Sequence, residues 1–212
     1  RILAYSSSSL TTDQERRDSL NQALSVIDAA KTLEPTNANL LAMRSFVLSW
    51  LSNPTLSGEL SEDYRNQAEA EALAAIQLDS ANALAKAYYA EILIDQYKLV
   101  QAQDYIAQAR SNGEDLMDVR RIQAYIYEVL GEYNLAIEWY QKAIEVTPNL
   151  TFLYIRTGVL YRFLQQYDTA LELFAKAVSL NQQLGIQDPI PYMAIANTYI
   201  RRGEAMAASR NA

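Results

Sequence analysis

The sequence predicts an all-α fold, an α-solenoid in which antiparallel helical hairpins stack into a right-handed superhelix. Three observations carry that prediction. Composition favours helix, because alanine, leucine, glutamine and glutamate are abundant while the 212 residues include only six glycines and five prolines. The phrase GEYNLAIEWYQKAIEVTP at 131–148 returns as QQYDTALELFAKAVSLNQ at 165–182, at an offset of 165 − 131 = 34. Each copy also follows a second periodic segment with its own recurring small residue, so the unit contains two helices.

The elements follow in order. Thr12 with Glu15 three residues on reads as a capping box, opening a helix with Ala23, Ile27 and Ala30 on one face and Pro35 beyond its end. With no preceding helix of adequate length, 13–35 reads as a half repeat. The same face recurs at Ala68, Ala72 and Ala75, at a distance of 68 − 23 = 45, which places 11 extra residues in the repeat 38–82. Pro54, Gly58 and polar neighbours assign them to an exposed loop at 52–63. Ala102, Ile106 and Ala109 mark the repeat 83–116, Ala136, Tyr140 and Ala143 the repeat 117–150, and Ala170, Phe174 and Ala177 the repeat 151–188.

The first helices carry small residues at Ser45, Ala90, Ala124, Gly158 and Ala196, each followed three residues later by Leu48, Leu93, Tyr127, Tyr161 or Tyr199. Small residues facing each other let two helices approach closely, and the large neighbours fill the space beside the crossing. Gly113, Gly131 and Gly203 are expected between helices, where a left-handed cap suits glycine. Ala208 follows Ala170 at a distance of 208 − 170 = 38, so 189–212 reads as a truncated repeat and the chain is expected to be a segment of a longer array or of a larger protein. RILAYSSSSL at 1–10 reads as a frayed terminus or the remnant of a linker.

The chain has no cysteine and no histidine, so disulfides, thiolate zinc sites and the usual Ser-His and Cys-His nucleophile pairs are excluded. Acidic pairs such as Glu69 with Glu71, or Glu62 with Asp63, read as solvated helix faces rather than acid-base machinery. No catalytic, cofactor-binding or metal-binding residue is expected, and no cofactor. A formal charge of −7 argues against a nucleic-acid partner, and no apolar run is long enough for a membrane span.

This pattern resembles the tetratricopeptide repeat family over roughly 13–212, most closely at 117–150 and 151–184. Ser80, Glu114 and Gln182 stand where that family ends its repeat with proline, and Arg120 and Tyr154 where it has tryptophan. The resemblance implies that first helices line a concave groove and second helices the outside. It also implies a non-catalytic scaffold for protein-protein interaction that holds a partner protein or peptide segment in that groove. The alternatives are a recognition or sensor arm of a larger enzyme or signalling protein, and a structural subunit of a membrane-associated assembly. The expected groove residues are Phe46, Trp50, Tyr88, Arg121, Tyr125, Phe152, Arg156, Val159, Arg162, Phe163, Asn197 and Arg201. Glu91 and Asp95 toward one end, against the arginines toward the other, imply a charge polarity that orients a bound segment. The carboxylate clamp known in the family is not supported, because Tyr125 stands where an Asn is wanted.

Overall fold

A computed structural model describes residues 12–210, and the segment 1–10 discussed above lies outside them. Helix α1 (Asp13–Leu33) opens with the expected capping box, in which the Thr12 hydroxyl accepts from the Glu15 amide while the Glu15 carboxylate accepts from the Thr12 amide. Then come α2 (Ala38–Leu51), a four-residue α3 (Pro54–Ser57), a 3-10 turn (Gly58–Leu60) and α4 (Ser61–Leu78). The array continues with α5 (Ala83–Asp95), α6 (Leu99–Gly113), α7 (Met117–Val129), α8 (Tyr133–Val146), α9 (Thr151–Phe163), α10 (Tyr167–Leu184) and α11 (Ile190–Arg210). No strand occurs among the described residues.

Pairs α2 with α4, α5 with α6, α7 with α8 and α9 with α10 form the hairpins, and consecutive hairpins stack through both layers. The repeated second-helix residues are sealed: Ala68, Ala72, Ala75, Ala102, Ala109, Ala136, Ala143, Ala170, Phe174 and Ala177 expose nothing, and Ile106 and Tyr140 almost nothing. Their counterparts Ser45, Ala90 and Ala124 are equally buried. At Gly158 the reason is visible, because a Cβ there would lie 2.6 Å from the Phe174 ring. Side-chain volume at these crossings therefore sets the hairpin spacing.

Turns within the hairpins repeat as well. Tyr97, Gly131 and Gln165, each one repeat from the next, all adopt the left-handed region, at φ 59°, 78° and 59°. Only one uses glycine, although the geometry suits glycine at all three. Two other expected glycine caps are corrected. Gly113 ends α6 without a positive φ, and its lack of a side chain serves a close approach instead, since a Cβ would meet Leu116 at 2.8 Å and Ala83 at 2.9 Å. Gly203 lies inside α11, which runs through the expected turn. Among the described residues no second helix folds back on α11 there, so Ala196 and Tyr199, which occupy crossing positions, stay exposed.

The insertion at 52–63 is also corrected. It is not a plain exposed loop: Asn53 caps α3, Leu56 is buried in the core, and the Ser61 hydroxyl donates to the Ser52 carbonyl. Pro54 at the first helical position and a well-placed Asn cap explain why a polar stretch forms this turn of helix. Trp139, on the second helix α8, is nearly buried between the Arg110 guanidinium 4.4 Å from its ring centre and the Lys142 ammonium at 4.3 Å.

These packing relations generate measurable outcomes. Ser45→Ala should raise stability by about 1 kcal/mol, because the Ser45 hydroxyl is buried with no hydrogen-bond partner; urea titration that shows a loss contradicts the crossing. Gly158→Ala should cost about 1 to 3 kcal/mol by overpacking, partly offset by the better helix propensity of alanine, and the penalty should shrink when Phe174 is also changed to Leu. A double-mutant cycle with no coupling energy would disprove that contact. Leu56→Ala should cost about 2 kcal/mol, whereas an unchanged melting curve would restore the insertion to a surface loop.

Candidate functional site

Helix periodicity places α2, α5, α7 and α9 side by side on the concave surface, with successive first helices touching at α2 with α5, α5 with α7 and α9 with α11. Two adjoining cavities lie along them. The larger, about 500 Å³, is bordered by Arg16 and Leu20 of α1, Ser49 and Trp50 of α2, the insertion at Asn53 to Leu56, Arg65 of α4, Glu91 and Asp95 of α5, and Ile190 of α11. The smaller, about 240 Å³, shares Trp50, Glu91 and Asp95 and adds Arg121, Tyr125, Tyr140, Phe152 and Arg156. Arg16 and Ile190 are far apart in sequence, so the solenoid curves enough to bring its first helix and its last toward one cavity. Arg16 acts electrostatically on Asp188 across the same gap.

The groove floor is held by charged and aromatic pairs. Arg121 grips Glu91 with two bonds of 2.6 Å, the planar fork matching the carboxylate, and both side chains are nearly excluded from solvent. Phe46 stacks on Tyr88 with ring centres 4.7 Å apart and contacts Trp50 at 5.3 Å. One repeat on, Arg156 pairs with Glu128 at 2.8 Å, and Glu128 also accepts from the Tyr140 hydroxyl at 2.9 Å. Burial opposes the charge on Arg156, but Tyr140 and Glu128 outweigh it and hold its pKa above the ordinary arginine value. Burial raises the Tyr140 phenol.

Asp95 differs from these paired groups. Its carboxylate accepts from the Tyr125 hydroxyl at 3.0 Å but has no ion-pair partner among the described residues. The residue is exposed to solvent and lines both cavities beside Glu91. Desolvation of its carboxylate, then the Glu91 carboxylate one turn away, pushes the Asp95 pKa up to about 6, against the opposing pull of Tyr125, Arg121 and Arg65. Burial and then Asp95 push the Tyr125 phenol upward in turn.

The expected groove residues divide accordingly. Trp50, Arg121, Tyr125, Phe152 and Arg156 line the smaller cavity together. Phe46, Tyr88 and Arg121 are buried, so they shape the floor and offer little surface of their own. Phe163 is 60% exposed while stacked on Tyr133 at 5.6 Å. Val159 is half-buried against the α10 and α11 core, and Asn197 and Arg201 are exposed on α11. Arg162 reaches the Ala194 carbonyl at 3.4 Å, and its pKa is lowered first by burial and then by Arg201.

The charge polarity expected along the groove is corrected: Glu91 and Arg121 neutralise each other, as do Glu128 and Arg156, and Arg201 pairs with Glu204 at 3.3 Å, leaving Asp95 at one end and Arg162 at the other. Sequence reasoning missed Tyr140, which it read only as core, and Arg16, Arg65 and Ile190. Tyr140 carried a signal, since a phenol on a packing face needs a partner for its hydroxyl. The other three depend on curvature, which one repeat does not reveal. Among the described residues no cluster of candidate metal ligands occurs, and no helix is long and apolar enough to cross a membrane.

The tetratricopeptide repeat family model matches residues 122–150 and 153–184. No curated protein matches the sequence. Among solved structures, MamA is 19% identical with a TM-score of 0.53, over 83% of this chain and 98% of its own. The human IFIT1 dimer with PPP-AAAA is 20% identical with a TM-score of 0.69, over 94% of this chain and 47% of its own. A chain of the APC/C hetero-tetramer Cut9-Hcn1 is 14% identical with a TM-score of 0.69, over 88% and 34%. At such identities the likeness concerns the fold. The segments 122–150 and 153–184 are thus tetratricopeptide repeats, and the hairpins around them continue the same helical-repeat fold in register.

Proposed function

We propose that the chain is a non-catalytic protein-interaction scaffold whose concave groove holds a partner segment. The observation that supports this most is the pair of adjoining cavities, of about 500 and 240 Å³, that share Trp50, Glu91 and Asp95 and are walled by aromatic and charged side chains. A groove of this make-up grips an extended or helical segment through apolar anchors, while a few charge-assisted hydrogen bonds set its direction. Trp50, Tyr125 and Phe152 supply aromatic walls, and Phe46, Tyr88 and Arg121 fix their positions from below.

Toward the C-terminal end, Phe163 is the exposed anchor and Arg162 the cationic feature. Arg162 has no ion-pair partner among the described residues, whereas Arg201 pairs with Glu204, so an acidic side chain or terminal carboxylate of the partner belongs beside Arg162. Arg156 is already committed to Glu128 and contributes less. An exposed ion pair supplies only about 0 to 1 kcal/mol, so Phe163 carries more of the affinity. The case against a nucleic-acid partner rests on the charge of −7 and on no feature of the fold, since the similarly folded human IFIT1 dimer was solved with PPP-AAAA.

Peptides selected by display against the intact chain provide the test. Phe163→Ala should weaken their binding by about tenfold or more, Arg162→Ala should weaken it less and flatten its salt dependence, and Leu135→Ala on the outer face should leave it unchanged. The opposite pattern, with Leu135→Ala abolishing binding and the groove variants behaving like the parent, would move the function to the convex side.

A further inference from the structure

Resting on the groove reading above, we infer that the smaller cavity is a subsite for a basic side chain of the partner, a lysine or arginine whose cation meets Asp95 between the rings of Trp50, Tyr125 and Phe152. Carboxylates alone would not carry this. Glu91 faces the same cavity but already holds Arg121 through two bonds of 2.6 Å, and Glu128 holds Arg156, so neither has charge to offer. Asp95 has only the Tyr125 hydroxyl at 3.0 Å. The cavity, about 240 Å³, is of the size of one long side chain, and four aromatic residues, Trp50, Tyr125, Tyr140 and Phe152, line it with that single uncompensated carboxylate.

Each part suits a cation. Aromatic faces attract an ammonium or guanidinium through the negative face of their π-system and shelter the alkyl stem, while the carboxylate supplies the counter-charge. A neutral or acidic side chain gains only the apolar walls, and an acidic one adds a third carboxylate beside Glu91 and Asp95. The larger cavity shares Asp95 and opens past Arg65 and the insertion, so a chain crossing the groove can drop a side chain inward at this point. The direction also agrees with the other end, where Arg162 favours an anion: a partner segment basic toward α5 and acidic toward α11 satisfies both.

Proton linkage gives the subsite a signature. The groups that face Asp95 are Glu91 on its own helix, Arg65 on α4, and Arg121 and Tyr125 on α7, the Tyr125 phenol being raised and so protonated. Asp95, with a pKa of about 6, is mostly ionised above that value and protonated below it. A cation binds the ionised form, so affinity should fall as pH drops through 6, by about tenfold between pH 7.5 and pH 5.

Butylammonium and methylguanidinium are suitable probes, with butanol as the neutral control, titrated into the intact chain while the Trp50 indole signal is followed by NMR. Either cation should shift that signal saturably, the shift should weaken about tenfold at pH 5, and Asp95→Asn should weaken it at least tenfold at pH 7.5 while Leu135→Ala does nothing. Equal binding of butanol, or of cations to Asp95→Asn, overturns the assignment. An Arg1→Gln variant that binds the cations tenfold more tightly, or a Trp50 signal that moves on dilution without a probe, gives the subsite to the chain's own first residue or to a second copy, and overturns a partner's side chain as the occupant. Display-selected peptides that depend on Phe163 but not on Asp95 leave the groove standing without the basic subsite, whereas peptides indifferent to both remove the groove reading itself.

Discussion

Close approach of the two helices in each hairpin is the constraint on which the rest depends. Alanine at the first and last of three places on each second helix, opposed by serine, alanine or glycine on the first, leaves no room for a larger side chain between the backbones. Gly158 shows how tight this is, since even a methyl group would enter the Phe174 ring. With the separation fixed, the large residues beside the crossing decide how one hairpin leans on the next, and a small lean repeated along the array becomes curvature. Curvature then makes the functional surface. It brings Arg16 and Ile190, from opposite ends of the described chain, to one cavity that no single hairpin contains.

Legibility in the sequence follows from the same constraint. The crossing positions were readable because they permit few residue types and recur once in every repeat, and the left-handed turns at Tyr97, Gly131 and Gln165 recur with them. Concave positions recur just as regularly but are not restricted in type. Glu91, Tyr125 and Val159 occupy one repeat position, and Ile94, Glu128 and Arg162 another. Their location on the groove was therefore legible, but their partners were not, because each bond spans from one hairpin to the next. Arg121 illustrates the loss: its place on the groove stripe gave no hint that Glu91 of the preceding repeat already occupies it.

Departures from regularity were the least legible parts. The insertion looked like a loop by composition, yet Leu56 is one apolar residue in a polar stretch, enough to pin it to the core once Asn53 and Pro54 start a helical turn. At the other end the expected turn at Gly203 did not form. A turn between packed helices is stabilised by the second helix lying back on the first, and local glycine preference without that packing does not break a helix. Both cases show tertiary contact, or its absence, overriding local composition.

Pairing inside the groove also decides what the groove can recognise. Burying Glu91 and Arg121 together costs desolvation of two charges, which even a bidentate bond does not always repay, so the pair is a weak argument for stability. Its effect on recognition is clearer. A charge already matched presents little net field to a ligand, and each matched pair on the floor removes one attraction that a passing segment would otherwise feel. What remains is the unmatched remainder, a carboxylate at Asp95 and the guanidinium of Arg162, separated by aromatic wall. Charge on this surface is thus informative where it is left over rather than where it is abundant, and in the proposed scaffold those few residues set the direction of a bound segment while the aromatic wall sets its affinity.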